Sequence, residues 1–313
     1  MKRAFVFPGQ GSQAPGMGQA LAEAFPAARL LFDEIDDALS QHLSRLMFEG
    51  PENELTLTEN TQPALLAVSL AVMRVLQNEA GLDVARQAAY VAGHSLGEYS
   101  ALAAAAALPV AVAARLVKRR GQAMQKAVPV GEGAMAALLG MEMPAVQEVA
   151  ELAGQGQICA VANDNSPGQI VISGHRGAVE RAVALAAQRG GRRSIILPVS
   201  APFHSPLMSP AADVMEEALG ETSVTAPSVP LVANVTAAAT SEPEEIKELL
   251  VAQVTRMVRW RETVLLFAAD EVEEVIEIGA GRVLAGLVKR IDRTIATASI
   301  GTPADIEELV KRL

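Results

Sequence analysis

Aromatic residues and cysteine are scarce in this chain of 313 residues. Only 3% of the residues are aromatic although half are hydrophobic, so we expect closely packed, alanine-rich helices on a sheet rather than an aromatic-rich sandwich. The single cysteine, Cys159, excludes an internal disulfide and a multi-cysteine metal site. It lies in an apolar run at 158–161, which predicts a buried, inert thiol rather than a nucleophile.

Basic charge and long apolar runs are scarce as well. The chain has 26 Lys and Arg against 36 Asp and Glu, a formal net charge of −10, which argues against nucleic-acid binding because that needs a basic face. No apolar run is long enough to span a bilayer, and a strand-like segment at 4–7 follows the first three residues directly. We therefore expect no membrane segment, no signal peptide and a cytoplasmic location. The four histidines lack metal-ligand spacing, so we expect no metal site.

A Gly-x-Ser-x-Gly pattern centred on Ser95 is the strongest local signal. An apolar run at 88–92 predicts a buried strand before it, and an alanine-rich helix is predicted at about 98–107 after it. In this context the pattern is typical of a sharp turn that exposes a serine hydroxyl. A β-carbon at Gly93 or Gly97 would collide with the neighbouring strand or helix. From these residues alone, Ser95 is equally well interpreted as a nucleophile or as a helix N-cap.

Two other loops could serve a reactive serine. A glycine-rich turn at 8–13 follows the strand predicted at 4–7, and open α/β sheets bind ligands at such strand ends. It matches neither a P-loop nor a dinucleotide fingerprint, but its Gln10 is placed to supply a backbone N–H to an oxyanion. His204 precedes a helix predicted from 206 to about 220, with Ser205 as its N-cap. We expect His204 on the rim between two lobes, where sites commonly form, although a lone histidine at a helix start is usually structural.

Strands and helices alternate over most of the chain, which predicts an α/β fold with a mainly parallel sheet and helices on both faces. Pro63 is interpreted as a first-turn residue of a helix over 63–77. Between 127 and 199 the predicted order is β-α-β-β-α-β, that of a ferredoxin-like unit. We therefore expect a core of residues 1–126 and 200–313 and an inserted subdomain of residues 127–199.

Several stretches together resemble one family, the malonyl-CoA:acyl-carrier-protein transacylases of bacterial type II fatty acid synthesis, which are related to polyketide synthase acyltransferase domains. The stretches run in family order from residue 4 to about 290, so the resemblance covers nearly the whole chain. They are Phe-Pro-Gly-Gln-Gly-Ser-Gln at 7–13, Asn-Thr-Gln-Pro-Ala at 60–64, Gly-His-Ser-Leu-Gly-Glu at 93–98, Arg-Gly at 120–121, Asn-Ser-Pro-Gly-Gln-Ile-Val-Ile-Ser-Gly at 165–174, Ala-Pro-Phe-His at 201–204 and Glu-Ile-Gly at 277–279.

The resemblance implies a hydrolase-like core with a ferredoxin-like insertion, and it implies catalytic roles. Ser95 would be the nucleophile and His204 the general base that takes its proton. Backbone N–H groups of Gln10 and Leu96 would form the oxyanion hole. The backbone carbonyl of Gln253 would orient the histidine, in place of the acid of a Ser-His-Asp triad.

The resemblance also implies a substrate and a partner. Arg120, otherwise interpreted as a solvated helix arginine, would bind the malonyl carboxylate through a planar two-pronged pair. The implied reaction carries malonyl from malonyl-CoA to the phosphopantetheine thiol of acyl carrier protein, in a monomer and without a cofactor. Acidic carrier protein would dock near Arg192 and Arg193, with Lys289 and Arg290 as further candidates, unless these form only a solvated charge cluster.

Other functions remain open on the sequence. A serine esterase or thioesterase would share the same turn, and a non-catalytic carrier-protein binding module would need no reactive serine. The same malonyl transfer could also serve a polyketide or malonate decarboxylase system.

Overall fold

The strands form two separate sheets in the computed structural model, which describes residues 1–312. In chain order the strands are β1 (Arg3–Phe7), β2 (Tyr90–Gly93), β3 (Gly133–Leu139), β4 (Cys159–Ser166), β5 (Gln169–His175), β6 (Arg193–Ile196), β7 (Leu231–Val232), β8 (Ala239–Thr240), β9 (Glu274–Ile278) and β10 (Ala296–Ile300).

Helices connect nearly all of these strands. They are α1 (Gln19–Ala24), α2 (Pro26–Leu39), α3 (Leu43–Glu49), α4 (Glu52–Leu55), α5 (Thr58–Ala80), α6 (Val84–Gln87), α7 (Gly97–Ala104), α8 (Val110–Ala127), α9 (Met143–Gly154), α10 (Arg176–Gln188), α11 (Ser209–Gly220), α12 (Pro243–Thr255), α13 (Trp260–Ala269), α14 (Val283–Ile291) and α15 (Pro303–Val310), with a 3₁₀ turn at Pro206–Met208 before α11.

The larger sheet has the order β10-β9-β1-β2-β7-β8, and every pairing is parallel except the last. Because strand side chains alternate, Phe5 and Phe7 of β1 enter the core on one face while Ala4 and Val6 enter a second core on the other. Helices cover both faces, so the predicted α/β class is confirmed. The carboxyl ends of β1 and β2 lie side by side, with Phe7 opposite Gly93.

The smaller sheet is antiparallel, with the order β4-β5-β3-β6. Together with α9 and α10 it completes the predicted β-α-β-β-α-β unit, whose own apolar core includes Leu138, Val146 and Ile172. All of its strands lie within 127–199 and all strands of the larger sheet lie outside that range. The boundaries at 126/127 and 199/200 stay a prediction.

The two sheets are joined where β4 meets the segment before α13. Asp164 N–H donates to the Val258 carbonyl (2.9 Å) and Val258 N–H donates to the Ala162 carbonyl (2.9 Å). The Asp164 carboxylate also pairs with Arg261 at 2.9 Å. This seam holds the small lobe against the carboxyl end of the large sheet, where the site lies.

Some local predictions are wrong. Pro63 lies inside α5, five residues after the helix begins, rather than in its first turn. Ser205 precedes the 3₁₀ turn, but its hydroxyl donates to the Pro202 carbonyl (2.7 Å) instead of capping the helix. Cys159 is partly exposed rather than buried. Burial still raises the pKa of its thiol to about 11, so the group is protonated near neutral pH.

Candidate active site

The turn between β2 and α7 holds Ser95 in a left-handed backbone conformation, with φ of 55°. A β-carbon on Gly93 would overlap the backbone of Gly97, and one on Gly97 would overlap the carbonyl of Phe7. Both glycines are therefore required by close approach of the backbone, as predicted. Leu96 occupies the N-cap of α7, and no side chain caps that helix. The N-cap interpretation of Ser95 is wrong.

The imidazole of His204 faces the Ser95 hydroxyl. The Ser95 Oγ–His204 Nε2 distance is 2.8 Å, and His204 Nδ1 lies 2.8 Å from the backbone carbonyl of Gln253. A carbonyl only accepts hydrogen bonds, so Nδ1 carries the proton and Nε2 presents its lone pair to the serine. Burial, with the Arg120 cation as a second cause, lowers the pKa of His204 to about 3. The histidine is therefore neutral and able to accept a proton near neutral pH.

Arg120 reaches the same point from α8, and only 1% of its surface is exposed. Its Nη2 donates to Ser95 Oγ (3.0 Å) and to the side-chain oxygen of Gln253 (2.7 Å), while Nη1 donates to Gln62 Oε1 (2.8 Å). These are three of the five donors of a guanidinium. No carboxylate within residues 1–312 forms a salt bridge with Arg120. The cation is thus buried beside the serine with only neutral acceptors in direct contact.

Gln10 and Leu96 line the cavity in which Ser95 and His204 lie. In the described part of the chain, neither backbone N–H donates to a protein acceptor. The side chain of Gln10 is held instead, because its Oε1 accepts a hydrogen bond from Thr58 Oγ1 (2.9 Å). Both N–H groups remain available at the cavity, and their role in an oxyanion hole stays a prediction.

The cavity has a volume of about 500 Å³ and is lined by both lobes. The small lobe contributes Asn163, Met135 and the segment 197–199. The core contributes, among others, Gln10, Gln62, Ser95, Leu96, Arg120 and His204. A second contact crosses the lobes at the rim, where His94 Nε2 lies 2.9 Å from Asn165 Oδ1. The predicted position of His204 at the junction of two lobes is confirmed.

Sequence reasoning missed the residues that hold this site together. Asn234, after β7, accepts the Ser95 N–H through Oδ1 (2.8 Å) and donates from Nδ2 to the Gly93 carbonyl (2.6 Å). Glu98 accepts the backbone N–H of Asn234 (2.6 Å). Glu98 and Gln62 both lie inside stretches that carried the family resemblance, whereas Asn234 is 139 residues from Ser95 and has no local signal.

The predicted docking residues lie apart from the cavity. Arg192 and Arg193 are exposed at the start of β6, and Lys289 and Arg290 are exposed at the end of α14. None of the four lines the cavity around Ser95.

Neither a membrane-spanning helix nor a metal-binding cluster occurs within residues 1–312. No helix in that range is both long enough and apolar enough to cross a membrane. No group of three or more His, Cys, Asp and Glu side chains over the same residues is arranged to hold a metal ion.

The Ser95–His204 pair on an α/β fold gives a serine nucleophile its base, an arrangement that transferases and hydrolases share. A family model decides between these classes and makes the protein an acyltransferase. Residues 4–306 match a family model described as acyl transferase domain. The match covers both lobes and every residue of the site.

Curated relatives narrow the class. The chain is 47% identical over 313 residues to the malonyl CoA-acyl carrier protein transacylase of Bacillus subtilis strain 168, covering all of this chain and 97% of the relative. It is 44% identical over 301 residues to the protein of the same name from Escherichia coli K12, covering 96% of each. The chain belongs to the malonyl CoA-acyl carrier protein transacylase family.

Solved structures agree with this assignment. An acyl-carrier-protein S-malonyltransferase from Bartonella henselae superposes with a TM-score of 0.97 at 54% identity, covering 100% of this chain and 99% of that one. A malonyl-transacylase solved in complex with a type II polyketide synthase acyl carrier protein superposes with a TM-score of 0.96 at 42% identity, covering all of both chains.

Proposed function

We propose that this protein transfers the malonyl group of malonyl-CoA to the phosphopantetheine thiol of acyl carrier protein, through a malonyl ester on Ser95. The observation that carries the proposal is the convergence of two groups on the hydroxyl oxygen of Ser95. Ser95 Oγ lies 2.8 Å from a neutral imidazole and 3.0 Å from a buried guanidinium. The pair supplies a nucleophile with its base, and the arginine supplies recognition of an acyl group that carries a carboxylate.

In the first half-reaction the Ser95 oxygen attacks the thioester carbonyl of malonyl-CoA while His204 Nε2 takes the hydroxyl proton. The resulting oxyanion would accept the N–H groups of Gln10 and Leu96. Collapse breaks the carbon–sulfur bond, and the protonated His204 returns its proton to the departing CoA sulfur. The Gln253 carbonyl stabilises the imidazolium because it stays bonded to Nδ1–H throughout.

The second half-reaction reverses these steps with a different thiol. His204 takes the proton of the phosphopantetheine thiol, the thiolate attacks the ester carbonyl, and Ser95 regains its proton. A thioester is consumed and a thioester is formed, so little free energy separates substrates from products. Ser95 and His204, with the backbone groups of Gln10, Leu96 and Gln253, supply all the groups these steps need from one chain, which supports action as a monomer without a cofactor. The CoA and carrier-protein substrates support a cytoplasmic reaction in fatty acid synthesis.

Discrimination between malonyl and acetyl groups is assigned to Arg120. Two of its five donors have no acceptor within residues 1–312, because the contacts to Ser95, Gln62 and Gln253 use only three. A buried cation gains from a carboxylate partner and gains nothing from a methyl group. The site therefore favours acyl groups that end in a carboxylate.

Arg192, Arg193, Lys289 and Arg290 form a basic cluster at one end of the strands of the small sheet, which supports carrier-protein docking there. Arg193 is paired with Leu139, Leu139 is paired with Gln169, and Arg290 Nη1 donates to Gln169 Oε1 (2.6 Å). Arg193 and Gln169 are thus two strand spacings apart, about 10 Å. The Arg192–Arg193 pair and the Lys289–Arg290 pair, predicted from separate parts of the sequence, meet at this end of the sheet, which suits an acidic partner.

Charge reversal tests the docking surface. In the variant Arg192→Glu/Arg193→Glu we expect the KM for carrier protein to rise at least about fivefold at low salt. Charges at the rim of a protein–protein interface act mainly on the rate at which the partners associate. The KM for malonyl-CoA should not change, because neither residue lines the cavity. The control is Arg189→Glu, at an exposed arginine that directly follows α10 and pairs with Glu148. Equal KM values for carrier protein in all three proteins would contradict this docking site.

The transfer itself is tested by intact-protein mass after brief exposure to malonyl-CoA. We expect a malonyl adduct on the wild-type chain that disappears in Ser95→Ala and on addition of carrier protein bearing phosphopantetheine. Ser223→Ala, at an exposed serine away from the cavity, is the control and should keep the adduct. An adduct that persists in Ser95→Ala, or one that water removes as fast as carrier protein does, would contradict the proposal.

A further inference from the structure

The carboxylate of Glu98 is buried, with 1% of its surface exposed, and it has no place in the steps above. It lies in the first turn of α7, three residues after Ser95. Its Oε1 accepts the backbone N–H of Asn234 (2.6 Å), and its Oε2 accepts the side-chain N–H of Gln253. Each oxygen thus holds a residue whose side chain forms a hydrogen bond with the Ser95 backbone.

The amide of Gln253 links Glu98 to Arg120. Its Nε2 donates one proton to Glu98 Oε2 and one to the Ser95 carbonyl (2.9 Å), which uses both protons of the group. Its Oε1 is left to accept from Arg120 Nη2 (2.7 Å). The orientation of this amide therefore decides whether an acceptor or a donor faces the arginine.

A carboxylate is the side chain that forces this orientation. The Asn234 N–H belongs to the backbone and can only donate, so the group facing it must accept. The group facing Gln253 must also accept if the Gln253 oxygen is to point at Arg120. An ionised carboxylate accepts with both oxygens, whereas an amide of the same size accepts with one and donates with the other. Burial raises the pKa of Glu98, and these two donors and the Arg120 cation oppose that rise. Donors face both carboxyl oxygens, so the geometry fits the ionised form.

We propose that Glu98 is a positioning residue for malonyl selectivity: its carboxylate fixes the Gln253 amide so that an oxygen, not an N–H group, holds Arg120 in the acyl-binding position. This inference rests on the proposed malonyl transfer. Glu98 touches neither Ser95 Oγ nor His204, so it acts on the substrate only through Gln253 and Arg120.

Glu98→Gln is the direct test, because it keeps the size of the side chain. The oxygen of the introduced amide must face the Asn234 N–H, which puts its NH₂ group against the NH₂ group of Gln253. If the Gln253 amide turns over to avoid this contact, it presents N–H groups to Arg120 and its oxygen to the Ser95 carbonyl. We expect the ratio of Ser95 acylation rates with malonyl-CoA and acetyl-CoA, measured in single turnovers, to fall about 10-fold or more.

Gln253→Met provides the matched background. Methionine keeps the backbone carbonyl that His204 needs and removes the amide, so no donor conflict arises when Glu98 is changed. The malonyl-to-acetyl ratio of Glu98→Gln/Gln253→Met should therefore equal that of Gln253→Met within about threefold. This comparison also carries the test if Glu98→Gln alone does not fold.

The outcomes separate this inference from the proposed function. A wild-type chain that prefers malonyl, together with a Glu98→Gln chain of unchanged ratio or with both rates lowered equally, overturns the positioning role and leaves malonyl transfer standing. A ratio that falls more than threefold between Gln253→Met and the double variant also overturns it. A wild-type chain that takes up no malonyl overturns the proposed function itself.

Discussion

Replacing Arg120 with alanine is the sharpest test of how this site selects its substrate. The guanidinium is buried beside Ser95 and donates three hydrogen bonds to neutral oxygens. The change removes the cation that would face the acyl carboxylate, but it leaves the Ser95–His204 pair and the Gln253 carbonyl in place. Malonyl transfer should suffer while the acylation chemistry survives.

The size of the effect follows from the lost contacts. A hydrogen bond to a charged group contributes about 1.5–3 kcal/mol, and a carboxylate held by two donors loses both. At the lower limit the loss is about 3 kcal/mol, which corresponds to at least about 100-fold in kcat/KM for malonyl-CoA. Acetyl-CoA has no carboxylate to lose, and removal of a buried cation from its methyl group should leave acetyl transfer unchanged or faster.

The assay is kcat/KM for malonyl-CoA and for acetyl-CoA with carrier protein as acceptor. Arg119→Ala, at the neighbouring residue whose guanidinium pairs with Glu217 on the surface, is the matched control and should change neither value. Thermal unfolding checks that Arg120→Ala remains folded. Malonyl transfer within threefold of wild type would refute the role of Arg120 and favour an esterase or thioesterase. An equal fall for both acyl groups would show that the residue supports the fold or the chemistry rather than selectivity.

Three further outcomes are expected. His204→Ala should slow malonyl acylation of Ser95 by about 10²–10⁴-fold, as loss of a general base does. His42→Ala, at a histidine on the surface, should not change the rate of acylation. The measurement is the rate at which the malonyl adduct forms. Burial lowers the pKa of His204 to about 3, so the imidazole is unprotonated, and able to act as a base, between pH 5 and 8. The pH profile of kcat/KM should therefore show no loss of activity from protonation of this histidine over that range. A fall in kcat/KM with an apparent pKa near 6.5 would contradict this. Gly93→Ala should destabilise the fold by several kcal/mol, since its β-carbon would overlap the Gly97 backbone. Gly286→Ala should instead stabilise the fold by about 0.5–1 kcal/mol, because Gly286 lies inside a helix with open space around it. Thermal melting should show a lower melting temperature for the first variant and a higher one for the second.

The sequence contained the reacting residues, but their roles came from the family resemblance. The Gly-x-Ser-x-Gly pattern left Ser95 open between nucleophile and cap, and only the backbone geometry excludes the cap. Arg120 looked like a surface arginine because two other basic residues precede it, and its burial depends on packing that no local pattern encodes. Asn234 could not be found at all, since its contact with Ser95 exists only after β2 and β7 pair.

The fold was predictable wherever a pattern of apolar residues is long enough to identify a strand or a helix. The alternating strands and helices and the β-α-β-β-α-β order have clear sequence signals, and the structure confirms the α/β class. Short elements were missed: α3 and α4 have seven and four residues, and β8 has two. Their formation depends on tertiary contacts such as the burial of Leu43 and Leu55, because so few residues provide little intrinsic stability.

The side chains of Arg120 and Glu98 are separated by the Gln253 amide. This separation explains how one site can hold a buried cation and still bind an anionic substrate. If the two side chains formed a direct ion pair, the arginine would already have its carboxylate, and a malonyl group would gain little by approaching it. If Glu98 were absent, the cation would be buried without a counter-charge, at a high cost in stability. The Gln253 amide between them leaves attraction at a distance. Burial raises the pKa of Glu98 and lowers the pKa of Arg120, and each charge opposes the shift of the other. The guanidinium meanwhile keeps donors for the substrate. Selectivity for a carboxylate thus depends on a neutral amide placed between two opposite charges.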